Sequence, residues 1–306
     1  MNQDYHIPVL AEQTVDGLNI KPSGIYVDVT FGGGGHSEII LKKLSTGKLF
    51  AFDQDFDAEK NANILIEKYG KENFIFVRSN FKFIKNFLKF YQITSVDGII
   101  ADLGVSSHQI DTPERGFSFM QGDIPDMRMN KEAEINAFKI INEYTEEELY
   151  KIFKNYAEIK NPYHIVKDII SARLIETISS IQKFNEIISK RAPQNKEYKF
   201  LAKIYQAVRI ETNNELDSLE QMLLQSVSLI KKGGRFSVLT YHSLEDRIVK
   251  NFFKTGNFEG ITQKDLYGNN IVPFKQINNK VIIPDDIEIN QNSRARSAKL
   301  RIAEKL

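Results

Sequence analysis

Short apolar runs alternate with amphipathic stretches through the first hundred residues. Residues 24–30 form an apolar run that predicts a buried strand, followed by the loop Phe31-Gly32-Gly33-Gly34-Gly35-His36. Ser37 is the expected N-cap of a short helix over 38–44. Residues 48–53 predict a second strand, 57–69 a helix stopped by Gly70, and 74–77 a third strand. Apolar residues at helical spacing over 81–91 predict another helix, and 96–103 a fourth strand. Strands buried on both faces, each followed by a helix, imply a mostly parallel sheet, because every crossover helix covers part of a face.

The rhythm breaks at His108. From there to Glu211 only helical patterns and loops are found: a helix opened by Thr145 and running through Leu149, Ile152 and Phe153, then 165–178, 184–190 and 199–209. After the break, 214–231 predicts a long amphipathic helix stopped by Gly233-Gly234, with a strand over 235–241 and a helix over 244–254. Residues 297–303 alternate with period two and predict a closing edge strand. The expectation is an α/β domain built from 1–107 and 212–306, interrupted by a helical insertion over 108–211.

Composition narrows the chemistry. The 306 residues are 42 % hydrophobic, enough for a substantial core, and none is Cys. Disulfides, thiolate metal sites and a thiol nucleophile are thereby excluded. The start, Met1 to Pro8, lacks a signal peptide's basic and apolar blocks, and no apolar run reaches the ~18 residues of a membrane span. A soluble, cytoplasmic protein is expected. The net charge of +1 favours no partner by itself, but residues 292–306 hold Arg294, Arg296, Lys299, Arg301 and Lys305 against Glu304 alone. This is either a phosphate-contacting patch or a solvated end.

The glycine loop is the strongest local signal. Four consecutive glycines between a strand and a helix let the backbone approach a ligand closely, although a tight turn without a ligand would look the same. The P-loop pattern fails, because His36-Ser37 stands where Gly-Lys-Ser/Thr is needed. The dinucleotide fingerprint fails too: Ser37 or Glu38 occupies the place of its last glycine, which disfavours a dehydrogenase. Asp53 ends the second strand, where an acid can accept from ribose hydroxyls or simply shape a turn. Asp102 ends the fourth strand, at the crevice side of a parallel sheet. A carboxylate there suits methylation of an amine, since accepting an N–H from a conjugated exocyclic amine frees its lone pair; capping of the next turn is the alternative.

His36, His108, His164 and His242 lack metal-ligand spacing, so no metal is expected, though His36 adjoins the glycines and can touch a cofactor. Ser243 lacks the elbow of a catalytic triad. Arg115, Phe117 and Phe119 at the insertion's entrance can stack a flipped base or pack the insertion on its core. Methylation at cytosine C5 normally needs a Cys nucleophile, so the absence of Cys points to attack by nitrogen or oxygen.

Several blocks together resemble one family, in order and nearly end to end. They are His6-Ile7-Pro8-Val9-Leu10, Asp28-Val29-Thr30-Phe31-Gly32-Gly33-Gly34-Gly35-His36-Ser37 and Asp102-Leu103-Gly104-Val105-Ser106-Ser107. Arg115-Gly116-Phe117-Ser118-Phe119, Asp126-Met127-Arg128-Met129, Tyr241-His242-Ser243-Leu244-Glu245-Asp246-Arg247 and Arg294-Ala295-Arg296-Ser297 follow. The chain resembles the bacterial ribosomal RNA small-subunit methyltransferase H (MraW) family. That resemblance implies a class I, Rossmann-like methyltransferase domain interrupted by a helical substrate-recognition domain. It also implies S-adenosylmethionine-dependent N4-methylation of a cytosine in the decoding region of 16S RNA, with the RNA presented in an assembled or late-assembling 30S subunit. Carried over by motif, the cofactor contacts would be Gly34, Gly35, His36, Asp53, Phe81, Asp102 and Gln109, with Phe81 flanking the adenine. Asp102 is the candidate catalytic acid, and Arg115, Phe117, Phe119, Arg294 and Arg296 are candidate RNA contacts. His108 and Ser293 stand where the family commonly has Pro. Asp102-Leu103-Gly104-Val105 keeps the acid of DNA amine methyltransferases but lacks their Pro-Pro-aromatic, which disfavours a DNA substrate. A non-catalytic ribosome-assembly factor on the same fold is the remaining alternative.

Overall fold

The computed structural model describes residues 8–278 and 280–306; His6 and Ile7 of the opening block lie outside them. By contacts the chain separates into two compact units, one of residues 1–104 and 216–306 and one of residues 105–215.

The first unit is built on a seven-stranded sheet: β1 (Ile25–Asp28), β2 (Lys48–Asp53), β3 (Phe74–Arg78), β4 (Val96–Asp102), β5 (Ile230–Thr240), β6 (Phe274–Gln276) and β7 (Lys299–Lys305). Their order is β3-β2-β1-β4-β5-β7-β6. β1 to β5 are parallel, and β7 runs antiparallel to both β5 and β6. Side chains alternate between the two faces, and both faces are buried. Val27, Phe50, Phe52, Ile99 and Ala101 join one core with Ile84 and Leu88, Leu219 and Met222, and Val249 and Phe252 from helices Ile84–Phe90, Glu215–Leu229 and Ser243–Thr255. Their neighbours Tyr26, Leu49, Ala51 and Ile100 join the opposite core with Ile40 and Leu65 from helices Gly35–Lys43 and Glu59–Tyr69. The order reverses between β1 and β4, and at such a switch point the diverging loops leave a crevice at the strands' carboxyl ends.

Three expectations need correction. Ser37 is not the N-cap: the helix starts at Gly35, Gly34 caps it with φ +80°, and Ser37 turns inward instead. The helix expected to run to the glycine pair ends at Leu229, and β5 begins at Ile230. Ile230 pairs with Val96 and Arg235 with Gly98, so residues 231–234 bulge from the ladder, with Gly233 at φ +76°. The closing strand is not an edge: β7 lies between β5 and the three-residue β6, a strand too short to carry a periodicity.

The second unit holds no strand among its described residues. Helices Ala137–Glu143, Glu146–Asn155, Tyr163–Ile175, Ile181–Ser189 and Glu197–Asn213 enclose their own core of Ile140, Leu149, Phe153, Ile169, Phe184 and Ile204. Thr145 and Glu148 form a reciprocal capping box at the start of the second of these. No helix among the described residues is long and apolar enough to cross a membrane.

Candidate active site

The glycine turn after β1 is shaped by contacts that leave little freedom. A Cβ on Gly34 would lie 2.8 Å from the Phe31 ring, and its φ is left-handed, so glycine is required there. At Gly33 the reverse holds: the residue is exposed and a Cβ would meet nothing within 4 Å. Open space thus lies against the backbone at the start of a helix.

Three carboxylates end the neighbouring strands β1, β2 and β4. Asp28 is buried; its Oδ1 accepts from the Thr30 N–H at 3.0 Å and its Oδ2 from the Ser37 hydroxyl at 2.7 Å. Burial raises its pKa, opposed by His36, Ser37 and Thr30, and the charge of Asp102 adds to the rise. Asp53 is half-buried, with Oδ2 accepting from the Gly32 N–H at 2.7 Å and Oδ1 from the Asp55 N–H at 2.8 Å. Burial pushes it up to about 6, against those two bonds, with the charges of Asp55 and Asp28 helping the rise. Neither Asp28 nor Asp53 pairs with Lys or Arg among the described residues.

Asp102 keeps about a quarter of its side chain exposed. Its N–H donates to Thr30 Oγ1 at 2.6 Å, its Oδ1 accepts from the Tyr241 hydroxyl at 2.7 Å, and its Oδ2 lies 3.7 Å from His36 Nδ1. The Tyr241 pKa is raised well above 10 by burial and by Asp102, so the phenol remains a donor. Tyr241 leaves β5 beside β4, a neighbour that sequence order hides; only its place in a recurrent block marked it. His36 is buried, with Nε2 3.3 Å from the Val9 carbonyl, and burial lowers its pKa. Phe81 is half-buried at the start of a single 3-10 turn, capped by Asn80, and packs on the core beneath β3.

The other expected residues divide between the tail and the second unit. Gln109 is buried, and its Oε1 accepts from the Ser106 N–H at 3.0 Å in a capping box over Ser107–Asp111. Arg115 is buried as well, its Nη2 donating to the carbonyls of Arg128 and Met129 at 2.9 and 3.1 Å. That guanidinium lies 5.7 Å from the Phe117 ring centroid, and Phe119 packs against Tyr205 at 5.6 Å. Arg115 therefore braces the insertion's own loop. In the next block, Arg128 forks onto Asp126. In the tail, Lys299 and Arg301 both bond Asp246, whereas Arg294 and Arg296 are exposed on the turn Ser293–Ser297.

An antiparallel strand threaded between the fifth and sixth parallel ones, with a glycine turn after the first, is how class I S-adenosylmethionine-dependent methyltransferases build their sheet, and this chain is one of them. More narrowly, it belongs to the MraW methylase family, whose sequence profile matches residues 3–306. Ribosomal RNA small subunit methyltransferase H of Flavobacterium johnsoniae is 54 % identical over 304 residues, 99 % of this chain and 98 % of that one. The protein of the same name from Bacteroides fragilis is 53 % identical, covering 98 % of this chain and 97 % of its own. Among solved structures, an rRNA methylase from Streptococcus thermophilus superposes with a TM-score of 0.44 at 11 % identity, over 97 % of this chain and 95 % of that one. That likeness is too distant to refine the assignment.

Proposed function

We propose that this protein transfers the methyl group of S-adenosylmethionine to N4 of one cytosine in the decoding region of 16S RNA, within an assembled or late-assembling 30S subunit. The relatives' names supply the small-subunit RNA. The observation that carries the chemistry is Asp102 at the crevice end of β4, its carboxylate held by the Tyr241 hydroxyl and its backbone N–H by Thr30. The residues present fit the cofactor. A carboxylate has about four acceptor positions, and Asp53 uses one on each oxygen, leaving two for ribose hydroxyls. Acids that raise one another's pKa favour a ligand bearing a sulfonium and an ammonium. Gly34, Gly35 and His36 would line its approach at the turn, Phe81 would flank the adenine, and Gln109 would add a contact from the insertion.

Bound S-adenosylmethionine supplies an electrophilic methyl group. The protein's part is to make a poor nucleophile competent. Asp102 accepts an N–H of the cytosine amine, which localises the nitrogen lone pair and prepares the proton's departure once the new C–N bond forms. Tyr241 holds one carboxylate oxygen so that the other is presented. RNA contacts are placed on Arg294 and Arg296 and on the half-buried rings of Phe117 and Phe119, with Arg115 holding their loop. The test is nucleoside mass spectrometry of 30S subunits treated with the protein and with Asp102→Ala. N4-methylcytidine should appear at one position with the wild type, and Asp102→Ala should lower the rate at saturating cofactor and RNA. Methylation at another atom, or an unchanged saturated rate in the variant, refutes the assignment.

A further inference from the structure

A recess of about 340 Å³ opens at the ends of β5 and β7, lined among others by Tyr241, Ser243, Pro284, Ile289, Arg296 and Ser297. That volume is at the small end of ligand pockets, which run ~300–1,000 Å³, and suits a single nucleotide unit rather than a helix. Its walls differ in chemistry. Pro284 and Ile289 offer an apolar side, the hydroxyl of Ser297 offers hydrogen bonds, and Arg296 stands exposed. Lys299, also on the wall, is held by Asp246 at 3.2 Å, but Arg296 has no ion pair or hydrogen bond among the described residues. An apolar plate, a hydroxyl and a free planar guanidinium match a base, a ribose and a phosphate.

Asp102 is not part of this wall; Tyr241 is. One side of Tyr241 borders the recess while its hydroxyl bonds Asp102 at 2.7 Å. An occupant of the recess is thus separated from the reacting carboxylate by one ring. We infer that the recess holds the nucleotide adjacent to the target cytosine, with Arg296 on its phosphate, and so sets the register of the RNA strand. The inference rests on the RNA reading proposed above.

Ile289→Trp would fill the recess, and Arg296→Ala would remove the phosphate partner. The probe is a fluorescein-labelled single-stranded RNA spanning the decoding-region cytosine, followed by anisotropy, alongside methyl transfer to 30S subunits. Each variant should bind the RNA at least fivefold more weakly with cofactor affinity within twofold of wild type, which also shows that the fold survives. An abasic site next to the target should cost the wild type a similar factor and cost Ile289→Trp little more. Variants that bind and methylate like wild type would overturn the inference. So would loss on removing the target base alone, since the recess would then hold the target. A wild type that binds this RNA with the expected variant losses but methylates no subunit would overturn the proposed function and leave the recess standing.

Discussion

Lowering the pH from 7.5 to 5 should weaken S-adenosylmethionine binding about tenfold, and Asp53 should be the cause. Burial holds this acid at about 6 in the free protein. A carboxylate accepting from two ribose hydroxyls must be ionised, so bound ligand pulls that value down and affinity is lost as the pH falls through it. With a pKa of about 6, roughly a tenth of the molecules carry the charge at pH 5 and nearly all do at pH 7.5, hence the factor of about ten. The same shift acts oppositely on the cofactor-free fold: its folded value lies above the unfolded one, so stability from this group is present below about pH 4 and lost as the pH rises through 6. Calorimetric titrations across this range, with Asp53→Asn beside the wild type, are the assay. The variant should bind ~1.5–3 kcal/mol more weakly at pH 7.5, the worth of hydrogen bonds to a charged group, or about tenfold to 150-fold. Its affinity should then be nearly flat with pH. A wild type whose affinity does not change between pH 5 and 7.5, or a variant that keeps the wild-type slope, would refute the assignment of the ribose to Asp53.

Tyr241→Phe removes the 2.7 Å bond to Asp102, which water can partly replace because that carboxylate is partly exposed. Methyl transfer at saturation should fall about three- to tenfold, at or below the low end for a bond to a charged group because water replaces part of it, with cofactor affinity within twofold; equal loss of both would reduce Tyr241 to a structural role. Arg115→Ala strands the carbonyls of Arg128 and Met129 in a buried loop, so thermal or urea unfolding should show a loss of at least about 2 kcal/mol. Wild-type stability with weakened RNA binding would return Arg115 to the RNA surface. Arg294→Ala combined with Arg296→Ala should leave cofactor binding intact, weaken RNA or subunit binding, and flatten its dependence on salt. An unchanged slope would mean that these side chains meet no phosphate.

Local pattern determined much of this protein. The apolar runs of β1 to β4 were readable because strands buried on both faces need little beyond continuous hydrophobicity and a glycine or cap at each end. Asp53 and Asp102 could be placed at strand ends, and the glycine turn could be singled out, from the residues alone, whereas Asp28 lay inside the run 24–30 and its place at the end of β1 came only with the structure. Long-range pairing was not readable in this way. Nothing local to residues 299–305 says that they enter between β5 and β6, since an alternating strand suits an edge as well as an interior position. Ser37 looks like a helix cap until the fold brings Asp28 within 2.7 Å and Gly34 supplies the left-handed turn. Arg115 looks free until its own loop closes around it. Tyr241 lies 139 residues from Asp102, and only the adjacency of β4 and β5 makes them partners. Periodicity reports which face of an element is buried, but a hydrogen bond between distant residues exists only after the sheet has chosen its neighbours.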